Sequence, residues 1–490
     1  MISLPSLITF IVYLVMLITI GGIFYRRTAS IEDYILGGRG LGKWVTALSA
    51  QASDMSGWLL MGLPGAMYVS GLPASWIAIG LFIGTVCNWQ FVATRLRVYT
   101  EKTNSITLPC FFEDRFRDPT GLLRTVSALI ILIFFTIYTS SGLVAAGKLF
   151  ESMFHLDYRM AVSIGTLVIV VYTFLGGFLA VSWTDMIQGT LMVIAITIVP
   201  IMAWQHVGGY EAIHAEMIAR NIDTGLLTLT GASLVGIIST MAWGLGYFGQ
   251  PHILVRFMGI REVKELRRSM AIAITWVFIS LIGAAIVGLI AIPLYPGLES
   301  GDQEKVFIYM VDKMFNPWVG GIFLAAILSA IMSTIDSQLL VSSSALTEDF
   351  YQKVIRKDAP QKRVVQVGRI CVIGISVIAL LMALNPENTV LGLVAYAWGG
   401  FGAAFGPLVL FALFSRKTSW QSALAGMVTG TVVLVVWKQM GLGETMYEIV
   451  PGFVANVITM LAVNRFIPAT NVEADKEFEE VRQTVKLLHS

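Results

Sequence analysis

Apolar and polar positions along this chain fall into long apolar blocks parted by short charged ones. They show neither the strict alternation of strands nor the single apolar stripe of a soluble helix. A helix needs about 20 apolar residues to cross the hydrocarbon core of a bilayer. Thirteen blocks reach that length: 5–25, 43–70, 74–96, 122–150, 158–180, 184–206, 230–255, 270–296, 316–348, 364–384, 389–415, 418–440 and 448–467. They predict an all-α polytopic membrane protein of thirteen spans, a single transmembrane unit over residues 1–470. Residues 471–490 form a charged tail expected to be helical and to rest outside the bilayer.

Composition sharpens this picture. Of the 490 residues 56% are hydrophobic and only 13% charged, against roughly 25% charged in a soluble domain. A net charge of +2 points to no nucleic-acid partner, and the distribution of charge is more telling. With thirteen spans and the N-terminus outside, the odd-numbered loops and the tail are cytoplasmic. All but six of the 33 basic residues then lie on that side, the exceptions being Lys148, Arg159, Arg220, Lys305, Lys313 and Lys438. This is the asymmetry expected of cytoplasmic loops, with Arg26, Arg27, Arg256, Arg356 and Lys357 among the residues counted inside. Cys87, Cys110 and Cys371 lack metal or disulfide spacing, the five histidines form no HExxH pair, and 1–25 has no cleavable-signal pattern.

Two spans are interrupted alike, five spans apart. Span 2 carries Ser53, Asp54, Ser56 and Gly57, then Pro64-Gly65; span 7 carries Trp243-Gly-Leu-Gly-Tyr-Phe-Gly-Gln-Pro251. Transporters built from inverted repeats bind substrate and ion at such paired breaks. Spans 2–6 (about 43–206) and 7–11 (about 230–415) are the expected repeats, with spans 1, 12 and 13 peripheral. A lone carboxylate at membrane depth is costly and by default functional, so Asp54 implies a cation and hydroxyls nearby. Span 9 supplies oxygens in Ser333-Thr-Ile-Asp-Ser-Gln338, with Ser333, Thr334 and Ser337 at i, i+1 and i+4 and Asp336 at i+3, on one helical face. Asp185 lies near the start of span 6, as an N-terminal carboxylate or as a second cation position. Tyr138 in span 4 wants a polar cavity. Gly244, Gly246 and Gly249 spell GxGxxG, but no strand precedes them, so a dinucleotide site is not expected. Their expected role is to bring backbone close to a ligand. Gly80-xxx-Gly84 and Gly426-xxx-Gly430 read as helix-packing pairs.

The segments 52–66, 176–185, 243–252 and 396–407 closely resemble the sodium/solute symporter family, and the resemblance runs from about Phe24 to Val463. It implies a LeuT-like five-plus-five inverted-repeat fold and a secondary active transporter, not an enzyme, in a bacterial cytoplasmic membrane, N-terminus outside and C-terminus inside. It implies import of L-proline with sodium by alternating access. A carrier of betaine or pantothenate, or a proline carrier in osmotic use, is the alternative. It places sodium among the backbone oxygens of Ala52, Met55 and Ala330 and the hydroxyls of Ser333 and Thr334, with Asp54 essential. Substrate lies against Ser56, Gly57, Trp58, Tyr138, Trp243, Tyr247 and Pro251, and Arg39 serves ion coupling. Some relatives have a hydroxyl residue at the position of Asp336, so this carboxylate is expected to join Asp185 and Ser337 around a possible second cation. Sodium, L-proline and the lipid bilayer are the partners implied, with no organic cofactor, no nucleic acid and no obligatory protein partner.

A sensor would need an appended signalling domain, for which the tail is too short. A channel would need a continuous pore, whereas paired broken helices favour occlusion. No nucleophile–base pair or metal cluster marks an enzyme.

Overall fold

The computed structural model describes residues 4–25, 31–175, 177–299, 301–355 and 358–489. Arg26, Arg27, Gly176, Arg356 and Lys357 fall outside these. Among the described residues the secondary structure is helical, apart from a single parallel bridge between Leu41 and Ile260. Ten helices among the described residues are long and apolar enough to cross a membrane, and three shorter apolar ones coincide with predicted spans 2, 5 and 7.

The shortening has local causes. Span 2 runs as a helix over Lys43–Asp54, loses its ladder at Met55 (φ −81°, ψ 73°), and resumes as a π-turn over Trp58–Gly62 and a helix over Leu63–Ser70. Serine, aspartate and glycine weaken a helix exactly where they cluster, since their side chains or their freedom compete with the backbone ladder. Span 7 consists of Leu234–Met241, a tight 3-10 stretch Ala242–Gly249, non-helical Gln250, and Pro251–Gly259. Pro251 sits at the first helical position, where its missing N–H costs nothing. Span 5 ends at Leu175 rather than 180, and span 6 begins at Phe178 rather than 184, because Gly177 is fully extended (φ −156°, ψ 176°). Asp185 is therefore seven residues inside its helix, not at its start.

The two interrupted helices lie antiparallel. The entry to span 2 pairs with the exit of span 7: Leu41 N–H donates to the Gly259 carbonyl (3.2 Å) and Arg261 N–H to the Leu41 carbonyl (2.8 Å). This is the arrangement an inverted repeat requires, because five spans per repeat reverse the direction of the equivalent helix. Small residues bring neighbours close. A Cβ on Gly80 would stand 2.3 Å from the Met241 carbonyl oxygen, and one on Gly84 2.3 Å from that of Gly244. Gly426 and Gly430 abut Met460, Asn456 and the Ala403 carbonyl. The tail is a helix, Val472–His489, that buries Phe478, Val481 and Val485 and pairs Glu477 with Arg117 at 2.6 Å.

Several basic residues counted as loop charges are buried: Arg97, Arg115, Arg124 and Arg256. Arg256 is the clearest correction. Span 7 continues to Gly259, so Arg256 lies a turn inside the protein rather than in a loop.

Candidate functional site

The break in span 2 is organised around one carbonyl. The Asp54 carbonyl accepts from Ser56 N–H (2.9 Å), Trp58 Nε1–H (3.0 Å) and, at longer range, the Tyr138 hydroxyl (3.4 Å). A carbonyl freed in an apolar interior needs such partners. The Asp54 side chain is fully buried; Oδ2 accepts from the Tyr247 hydroxyl at 2.6 Å, and Oδ1 has no protein partner among the described residues. Ser56 Oγ accepts from Trp58 N–H (3.3 Å), which turns the chain back into a helix.

Span 9 meets this break side-on. The Ser333 hydroxyl lies 2.7 Å from the Ala52 carbonyl oxygen and 3.3 Å from that of Ala330; the Thr334 hydroxyl lies 3.3 Å and 3.1 Å from the same two. Two hydroxyls and two carbonyls from separate spans thus share one buried spot, and Met55 is buried beside them at the helix end. Such an oxygen-only set suits a hard cation.

The predicted substrate residues divide. Trp58, Tyr138 and Tyr247 are each 1% exposed and ring the breaks. Trp243 packs against Tyr447 with the rings tilted by 32° (5.3 Å between centroids) and borders a cavity of about 350 Å³ shared with Gly65, Glu304 and Leu391. Pro251 lines a pinched space of only about 20 Å³ on the opposite side, with Val255, Ser344 and Asp349. Gly57 faces protein: a Cβ there would stand 2.8 Å from Ala145 Cβ and 3.4 Å from Ile331. The span 7 glycines do likewise, contrary to the expectation of open backbone. A Cβ on Gly246 would meet Trp398 Nε1 at 1.9 Å, and one on Gly249 the Phe401 carbonyl oxygen at 2.2 Å.

Around Asp185 the structure assembles a buried cluster. Its Oδ2 accepts from Ser49 Oγ–H (2.7 Å) and from Arg256 Nη2 (3.2 Å), while Arg256 also donates to Ser337 Oγ and to the His252 carbonyl (2.8 Å). Asp336 instead accepts from Thr173 in span 5. Asp185 Oδ1 and Asp336 Oδ2 have no partner among the described residues. A guanidinium therefore stands among the three groups expected around a second cation. Arg39, held at φ 53°, donates to the Met258 carbonyl (2.9 Å) and to those of Thr100 (2.9 Å) and Ser105 (3.0 Å). It thereby ties the entry of span 2 to the C-terminal end of span 7 and the end of span 3.

Residue-type reasoning missed three groups here. Arg256 sits four residues after His252 in an otherwise apolar run, a spacing that marks it as inward-facing. Trp398 donates to the Trp243 carbonyl (2.7 Å) and accepts Gln250 on its own carbonyl (3.2 Å), bracing the 3-10 turn. Glu304 pairs with Lys148 (2.5 Å) and accepts from the N–H groups of Val390 (2.9 Å) and Leu391 (3.0 Å); no local pattern marks it.

Two interrupted helices crossing in opposite directions inside a helical bundle, with backbone carbonyls at the crossing met by side-chain hydroxyls of a third span, define a membrane transporter of the inverted-repeat class. The outward-open structure of a Na+-coupled sialic acid symporter has this fold, at a TM-score of 0.79 and 19% identity, covering 96% of this chain and all of that one. The sodium:solute symporter family profile matches residues 34–430, and the chain belongs to that family. It is similar to the sodium/proline symporter of Escherichia coli K12, at 50% identity over 98% of this chain and 96% of the relative. It is also similar to the osmoregulated proline transporter OpuE of Bacillus subtilis, at 47% identity over 94% and 95%. It is a multi-pass membrane protein of a transporter family, not an enzyme.

Proposed function

We propose that this protein imports L-proline together with sodium across a bacterial cytoplasmic membrane, by alternating access, with its N-terminus outside and C-terminus inside. The observation that carries the reading is the meeting of the Ala52 and Ala330 carbonyls with the Ser333 and Thr334 hydroxyls, beside the buried carboxylate of Asp54. In this reading Ala52, Met55, Ala330, Ser333 and Thr334 hold the ion. The hydroxyl protons turn away and the oxygens accept it, while Asp54 supplies negative charge nearby. Proline, a zwitterion with an apolar ring, lies against Ser56, Trp58, Tyr138, Trp243, Tyr247 and Pro251. The aromatic faces cover its ring and attract its ammonium, and the half-helix N-terminus after Gly57 suits its carboxylate. Gly57 serves by letting spans 4 and 9 close on the break.

Spans 2–6 and 7–11 act as the two repeats, and residues 471–490 as a cytoplasmic tail. The cavity beside Trp243 is then the outer mouth, and the pinched space beneath Pro251 the closed inner route. Arg39 couples the inner ends of the two broken helices through the Met258 carbonyl. Asp185, Asp336 and Ser337 form a second cationic locus, occupied by the Arg256 guanidinium, with Asp185 Oδ1 and Asp336 Oδ2 left to a further sodium or a proton. One sodium with one neutral proline carries one charge inward, to which 100 mV of membrane potential contributes about 2.3 kcal/mol. Sodium, proline and the bilayer are the only partners this reading needs.

The test is uptake of radiolabelled proline into proteoliposomes with and without an inward sodium gradient. Concentrative uptake that requires the gradient is expected; uptake indifferent to sodium, or competed equally by betaine or pantothenate, overturns the assignment. Similarity to an osmoregulated relative favours one second reading, the same transport put to osmotic use, which induction of the gene by high salt rather than by proline would reveal.

A further inference from the structure

The first span lies outside both repeats, yet it touches span 9 at three heights. Ser6 Oγ donates to the Pro317 carbonyl at 2.9 Å. Thr9 fills the space above Gly321, where a Cβ would stand 2.0 Å from its Oγ1. Further along, the Tyr13 hydroxyl sits 2.9 Å from Ser329 Oγ. The contacts advance in the same direction on both helices, so the two run parallel.

The third contact is a buried polar chain. Tyr13 is 6% exposed, and Gln188 and Ser329 not at all. Gln188 Nε2 lies 2.9 Å from the Tyr13 oxygen, and Ser329 Oγ lies 2.8 Å from the Ala325 carbonyl. Each hydroxyl has one proton, and one assignment satisfies all of them. The Gln188 amide donates to Tyr13, Tyr13 donates to Ser329, and Ser329 donates to the Ala325 carbonyl. Removing the phenolic oxygen breaks the chain in the middle and leaves an amide and a hydroxyl oxygen short of partners in an apolar interior, where such a loss is expensive.

Both ends of this chain lead to the crossing of spans 2 and 9. Ser329 precedes Ser333 by one helical turn. Gln188 precedes Gly189, where span 6 packs directly on span 2: a Cβ there would stand 3.3 Å from Ala52 Cβ and 3.4 Å from the Leu48 carbonyl oxygen. Tyr13 therefore joins the helix that carries Ser333 and Thr334 to the helix that backs Ala52. We propose that Tyr13 is a positioning residue for the sodium site, setting the distance between the Ala52 carbonyl and the span 9 hydroxyls without touching the ion. This rests on the sodium site proposed above.

The experiment compares full-length Tyr13→Phe, Ser329→Ala and Ser333→Ala in proteoliposomes. It reads the sodium concentration for half-maximal proline uptake and, separately, the proline KM at saturating sodium. Tyr13→Phe is expected to raise the sodium requirement about threefold to tenfold, the range one neutral hydrogen bond commands, with the proline KM unchanged within about twofold. Ser329→Ala should shift it alike, and the double variant no further than either alone, because one chain is broken once. An unchanged sodium requirement in Tyr13→Phe, or a parallel rise in proline KM, overturns the proposal. Ser333→Ala separates the two readings. If it too leaves sodium dependence unchanged, the sodium site itself is wrong; if it shifts while Tyr13→Phe does not, only the positioning role fails. Should Tyr13→Phe fail to accumulate, Ser329→Ala is judged by the same criteria.

Discussion

The two interrupted helices share a path but not a chemistry. Span 2 breaks over Met55–Gly57 with a carboxylate at its edge, and its freed Asp54 carbonyl collects donors from Ser56, Trp58 and Tyr138. Span 7 has no charged residue at its break. Its glycines tighten the backbone into a 3-10 turn, and the notches they leave are filled by Trp398, by the Phe401 carbonyl and by the backbone of span 3. One break presents oxygen; the other presents shape. They meet where the Tyr247 hydroxyl donates to Asp54. Pseudo-symmetry thus preserves where the chain bends, which depends on packing and topology. The groups displayed at the bend depend on single side chains and are free to diverge.

The largest effect should come from removing the charge of the first break. Asp54→Asn is expected to leave the protein in the membrane but to abolish sodium-stimulated proline uptake, since an amide supplies no charge. Ordinary sodium activation of this variant would erase the distinction between the breaks. A methyl group in the second break should act in the opposite way. Gly246→Ala sets a Cβ against the Trp398 ring, so the amount of folded protein in the membrane, measured by immunoblot, should fall severalfold. The sodium requirement of the remainder should be unchanged; a shifted one would mean that span 7 also serves the ion.

Tyr247→Phe probes the junction. A hydrogen bond to a charged group contributes ~1.5–3 kcal/mol, so sodium half-saturation and proline KM should both rise by about tenfold or more. If only the proline KM rises, the hydroxyl serves substrate alone and the two breaks are not coupled through Asp54. Ser333→Ala and Thr334→Ala should each raise the sodium requirement about tenfold, at ~1.4 kcal/mol per decade. Unaltered sodium titrations would reduce both hydroxyls to partners of their own helix. The smallest effect is expected at Asp336, which accepts from Thr173 beyond the proposed sodium position. Asp336→Ser should leave uptake active but lower the charge moved per proline or slow sodium release, read from reversal potentials at several pH values. Identical ratios and release rates in both proteins would make Asp336 a structural contact to span 5.

Much was legible from residue pattern alone, because lipid offers the backbone no partners. Each span must satisfy its own ladder, so hydropathy marks it, and a place where the ladder fails must carry special residues. That is why the breaks at 53–57 and 243–251 stood out, and why Asp54, Ser333 and Thr334 could be singled out before any contact was known. The tertiary structure decided the rest. Arg256 and Asp185 pair across 71 residues, Trp398 reaches Trp243 across 155, and Tyr13 finds Ser329 across 316. In each case the local pattern shows only a polar or aromatic residue in an apolar run. Its partner is set by which helices the fold brings side by side, and burial away from water makes that partner obligatory.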